Sequence, residues 1–188
     1  MKIIYKGSGE LNWQSDLYLY EKISNFLKEN NITNYFDPFN FCREKDWHLI
    51  PYTNAGMDFF ELMRISEDGF STYENNEYYI FYNPYKYEPR INFTIAHEIG
   101  HIELLHHFFL PEKILMNKHS KSEVWEKHAD LFAGNILLPA KEFKTLKDLG
   151  FRPYVDEKNY GVSNPALQTR WRNLDSDILM LNIVNSLS

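Results

Sequence analysis

Phe93-Thr94-Ile95-Ala96-His97-Glu98-Ile99-Gly100-His101 is the stretch on which the reading of this chain turns. Two imidazoles four residues apart stand about one turn apart on a helix, so both can reach one cation from the same face. Glu98 lies directly beside them in this HEXXH pattern. Neutral imidazole is a good zinc ligand, and a carboxylate held next to the metal can take a proton from an attacking water while the metal polarises a carbonyl. Ile95, Ala96, Ile99, Ile102 and Leu105 surround the motif. A helix that carries charged and imidazole groups among such neighbours needs a compensating partner, and a metal ion is one.

A catalytic zinc commonly takes three protein ligands and leaves a fourth position to water. Two candidates compete for the third. His107 follows His97 by ten residues, but Leu104 stands where a glycine would be needed to turn the chain back. In an unbroken helix His107 points away from the His97–His101 face, and His106 and His107 are expected to be solvated or subordinate. Glu126 is the better candidate. It begins Glu126-Lys127-His128-Ala129-Asp130 on a second helix, where small Ala129 and Ala133 allow close helix approach. Glu126 and Asp130 share a face, so Glu126 could ligate while Asp130 accepts from a ligand imidazole and fixes its tautomer. His128 points elsewhere and is not expected to be a ligand.

Outward from these helices the chain reads as α+β. Leu17, Tyr20, Ile23, Phe26 and Leu27 give a helical period over Ser15 to Asn31, and Asp37-Pro38 opens a short helix to about Lys45. Trp47 to Tyr52 reads as a strand, Asp58 to Ser66 as helix or strand, and Phe70 to Tyr73 and Glu77 to Tyr82 as antiparallel neighbours joined by a tight turn at Asn75-Asn76. The strand Glu77 to Tyr82 is expected at the rim of a cleft, with a free edge for an extended peptide. The HEXXH helix is predicted over Arg90 to His107. After a polar stretch at 117–122, helices are predicted over Glu123 to Leu138, Ala140 to Leu149, and Ser163 to Leu174. The expected architecture is a small, mostly antiparallel sheet packed on the HEXXH helix and the Glu126 helix, with a helical C-terminal part.

With 188 residues and 44% hydrophobic content, the chain suits one domain over 1–188, with a catalytic core at roughly 16–139 and a small helical extension at roughly 140–188. A formal charge of -6 does not suit non-specific binding to nucleic acid phosphates, and no direct nucleic-acid contact is expected. Arg170 and Arg172, on the helix capped by Ser163, are the feature that could argue otherwise. No window reaches the apolar length of a membrane span, residues 1–13 lack the apolar core of a secretory signal, and the single Cys42 is expected to be buried and structural. These features together point to the cytoplasm.

The motif residues 93–101, then Glu126 with Ala129-Asp130, Phe132-Ala133 and Leu137-Leu138-Pro139, resemble the ImmA/IrrE family of metallopeptidases. The resemblance takes in Arg90, Ile50-Pro51-Tyr52, Tyr160-Gly161-Val162-Ser163, Ala166 and Arg170, and so spans residues 16–174. It implies a compact gluzincin-like fold and a zinc endopeptidase that acts on a regulatory protein, typically a helix-turn-helix repressor of a mobile element or stress operon. On this reading His97, His101 and Glu126 hold one zinc per chain, Glu98 is the base and Asp130 supports a ligand. The contrasting reading is a catalytically idle module that regulates a partner by contact.

Overall fold

The computed structural model describes residues 13–109, 123–150 and 161–187; residues 1–12, the polar stretch 117–122 and Tyr160 lie outside them. The described chain runs α1 (Trp13–Glu29), α2 (Pro38–Glu44), β1 (His48–Pro51), α3 (Phe59–Ile65), β2 (Gly69–Glu74), β3 (Glu77–Tyr82), α4 (Glu88–Glu103), a short α5 (His106–Phe109), α6 (Glu123–Leu137), α7 (Ala140–Asp148) and α8 (Asn164–Leu187). This is an α+β fold.

Local chemistry sets most boundaries. Asn31 ends α1 in the left-handed region at φ 53, and Asp37 caps α2 by accepting from the Asn40 backbone N–H at 3.0 Å, with Pro38 in the first turn. Asp58 resolves the ambiguous segment in favour of a helix, because its carboxylate accepts from the N–H groups of Phe60 and Glu61 and caps α3. Asn75 and Asn76, at φ 53 and 66, form the two-residue turn between β2 and β3. Two positive φ values match the strand twist in such a loop, and asparagine tolerates them.

The sheet is mixed, in the order β1-β3-β2. β3 runs antiparallel to β2, with Glu74 opposite Glu77 and Gly69 opposite Tyr82, and parallel to β1, with His48 opposite Tyr79. This overturns the expectation that β3 offers a free edge: it is the central strand. The aromatic run Tyr78-Tyr79-Ile80-Phe81-Tyr82 lies between two partners, and among the described residues the cleft-side edge belongs to β2.

The sheet packs on α4 and α4 packs on α6. One apolar core links Leu19 and Ile23 of α1, Ile95 and Ile99 of α4, Phe132 and Ile136 of α6, and Leu167 and Val184 of α8. Gly100 allows the α4–α6 contact, since a Cβ there would meet Ala129 O and Phe132 Cβ at 3.2 Å each. Cys42 is fully buried, and burial pushes its thiol up to about 12, as suits a structural residue.

Two helices end well away from their predicted ends. α4 ends at Glu103, four residues early, because Leu105 adopts a left-handed conformation at φ 60 and α5 restarts at His106. α8 runs on to Leu187, thirteen residues beyond the predicted end at Leu174. Polar residues of this extension face α1: Ser24 donates to Asn185 at 2.8 Å, and Tyr20 donates to Asp177. No helix among the described residues is long and apolar enough to cross a membrane.

Candidate active site

α4 and α6 cross so that three donor groups converge. His97, His101 and Glu126 each present one ligand atom, and these atoms lie within 4.8 Å of one another. The two Nε2 atoms are 3.0 Å apart. Glu126 places Oε2 3.5 Å from His97 Nε2 and Oε1 3.2 Å from His101 Nε2. All three residues singled out as candidate ligands are therefore brought together.

The far side of each imidazole is also held. Asp130 Oδ1 lies 2.8 Å from His97 Nδ1, the contact expected of it. The partner of His101 is one that the sequence does not signal: His106 Nδ1 stands 2.8 Å from His101 Nδ1. His106 is buried and its ring stacks on Trp125 with centroids 4.9 Å apart and 9° between planes. Of the two expected alternatives for His106 and His107, solvated or subordinate to the ligands, buried His106 takes the second and His107 is half-buried, because the turn at Leu105 breaks the helix that the expectation assumed and brings both back beside the site. His107 Nε2 contacts Ser71 Oγ at 3.1 Å. His128 is buried on another face of α6 and is not among the converging donors.

Glu98 is 2% exposed, and its Oε2 accepts from the Ser71 hydroxyl at 2.6 Å. Ser71 lies on β2, so the sheet reaches the carboxylate directly. A lone serine inside an aromatic strand carries no sequence signal for that role.

The electrostatics suit a cation. Burial works against charge on His97, but the bonds to Asp130 and Glu126 and the nearby Glu98 outweigh it and carry His97 up to about 9. The metal-free site therefore draws in a proton, the smallest cation it can hold. His106 has the opposite environment. Burial, with His101, His128 and His107 around it, pushes it down to about 3, so it is a neutral imidazole. Two imidazoles and a carboxylate in one half-buried cluster are a donor set that fits a divalent transition metal.

The cluster opens on a cleft of about 660 Å³, lined near the site by Gly69, Phe93 and Glu98 and at its far end by Leu138, Asn135 and Arg170. Arg170 is buried and donates to Leu138 O at 2.9 Å, to Asn135 Oδ1 at 3.0 Å and to Asp177. It fastens α6 to α8, a structural task that keeps it inside the fold. At the other lip, Arg90 pairs with Asp68 at 2.7 Å.

A small mixed sheet on a helix bearing paired histidines, with a possible His-His-Glu metal site completed by a neighbouring helix, defines a metallopeptidase-like protein. The family model for peptidase M78, described as the IrrE N-terminal-like domain, matches residues 55–172, and the chain belongs to this metallopeptidase family. No curated protein matches the sequence.

Proposed function

We propose that the protein is a zinc-dependent endopeptidase of the cytoplasm that cuts a regulatory protein, in particular a helix-turn-helix repressor of a mobile element or stress operon. The observation that carries the catalytic part is the convergence of His97, His101 and Glu126 within 4.8 Å beside buried Glu98. The resemblance to ImmA/IrrE peptidases supports the choice of substrate.

His97, His101 and Glu126 would hold one zinc, and Glu98 would be the base. Zinc supplies Lewis acidity when bound, polarising the scissile carbonyl. Glu98 takes a proton from the attacking water as its oxygen bonds to the carbonyl carbon, then gives that proton to the amide nitrogen as the C–N bond breaks. Ser71 holds one oxygen of the carboxylate and so fixes where the proton is received. Asp130 keeps the His97 Nδ1–H in place, which leaves Nε2 for the metal. The outer edge of β2, beginning at Gly69 in the cleft wall, is suited to pair with an extended substrate backbone.

Zinc-loaded protein incubated with the repressor encoded beside its gene should yield two defined fragments. A repressor left intact under inducing conditions would exclude that substrate. A cellular effect preserved in full by Glu98→Gln would favour the idle binding module instead.

A further inference from the structure

We propose that His106 is a positioning residue of the metal site, whose Nδ1 accepts a hydrogen bond from His101 and so fixes the tautomer in which His101 can ligate. The inference rests on the metal reading above and adds a residue to it.

One proton is shared in the 2.8 Å contact between His101 Nδ1 and His106 Nδ1. For His101 to present a lone pair at Nε2, its proton must sit on Nδ1. His106 Nδ1 must then be the acceptor, with its own proton on Nε2. The two candidate ligands are thus oriented by different chemistry. His97 faces a carboxylate, which adds negative charge, whereas His101 faces a neutral acceptor, which adds none.

Two observations show that this placement is built. The His106 ring lies flat against Trp125, next in sequence to Glu126, so the α6 helix that supplies Glu126 also fixes the plane of the His106 ring. The chain reaches His106 through Leu105 at φ 60, a left-handed conformation that is unfavourable for a leucine. Leu104 is buried and anchors the turn from the other side. A glycine would make this turn without strain. The leucine held in it is flanked on both sides by buried residues, Leu104 and His106.

The test is zinc binding, measured on the metal-free full chain by competition with a chromogenic chelator. His106→Phe keeps a ring against Trp125 but removes the acceptor, and it should lower zinc affinity about 10- to 100-fold. His106→Asn loses the stacking ring yet can place an amide oxygen near the former Nδ1, and it should recover most of that loss. A packing role predicts the reverse order, so equal binding by the Phe variant, or weaker binding by Asn than by Phe, would overturn the proposal. Nitrogen-15 imidazole spectra of the zinc-loaded wild type give a test that needs no variant: His106 should carry its proton on Nε2, and a proton on Nδ1 would overturn the inference alone. Failure of the wild type to bind zinc would overturn the metal reading together with it.

Discussion

Glu98 is reached by the Ser71 hydroxyl at 2.6 Å and is almost fully buried, so its replacement by glutamine changes the chemistry of the position with little change in its size. Glu98→Gln should reduce peptide cleavage by about 10²- to 10⁴-fold, the usual range for a lost general base, while metal analysis shows unchanged zinc content. Turnover within a few-fold of wild type at equal occupancy would end the mechanism proposed here. A second residue-level outcome comes from His97, which titrates at about 9 in the metal-free protein. The metal needs the lone pair that this proton covers. Apparent zinc affinity should therefore rise about tenfold per pH unit from pH 7 towards 9, with a proton released on loading. Chelator competition across that range checks it, and a flat profile would contradict it. Stability of the metal-free fold moves the other way. A raised value contributes fully below the ordinary histidine value of 6.5 and is lost as pH climbs through about 9.

At the scale of elements, the first residue of β2 sits under tight steric control. A Cβ on Gly69 would stand 2.5 Å from Thr94 Cγ2 and 2.7 Å from Phe81 O, and Thr94 cannot easily swing aside because its hydroxyl donates to Arg90 O. Gly69→Ala should cost about 1–3 kcal/mol in denaturant unfolding. An unchanged midpoint would mean that β2 shifts freely. Asp68, just before it, has a carboxyl that burial would raise, yet Arg90 and Lys86 outweigh burial and hold it below its ordinary 3.8. That contribution is present above about pH 4 and disappears as pH falls through the lower folded value. The pair is partly exposed, so Asp68→Asn should cost no more than about 1 kcal/mol at neutral pH, with the difference vanishing in acid unfolding once the folded carboxyl is protonated. Helix starts, the Asn75-Asn76 turn and the α4–α6 pairing were legible because each rests on local signals: a capping Asp37, paired asparagines, and small Ala129 and Ala133. The position of β3 between β1 and β2 was not, since nothing in Glu77 to Tyr82 tells a central strand from an aromatic edge. The break at Leu105 was equally hidden, because a leucine at φ 60 runs against its own preference and only tertiary packing puts it there. With the break went His106. Helix spacing puts His97 and His101 on one face and Glu126 and Asp130 on another, whereas the meeting of the two faces is a matter of tertiary packing.

At the scale of the whole molecule, Arg170 joins the cleft to the outer helices. It donates to the end of α6 at Asn135 and Leu138, and to Asp177 of α8, which also accepts from Tyr20 of α1. Arg170→Ala removes the cation from a buried pair and should cost about 3–5 kcal/mol in denaturant unfolding; a loss below 1 kcal/mol would show that the pair is not holding these helices.

The order in which these parts are made has its own consequence. A ribosome delivers His97, Glu98 and Glu126 well before Asp177, whose contact with Tyr20 spans 157 residues. Until α8 has been synthesised, the end of α6 lacks Arg170, α1 lacks Asp177, and the far wall of the cleft is missing. Such chains fold from the N-terminus as they emerge, so the nascent protein carries the His97–His101–Glu126 cluster on a scaffold that is still open. Closure of the cleft therefore waits on α8, whose Arg170 and Asp177 line its far end.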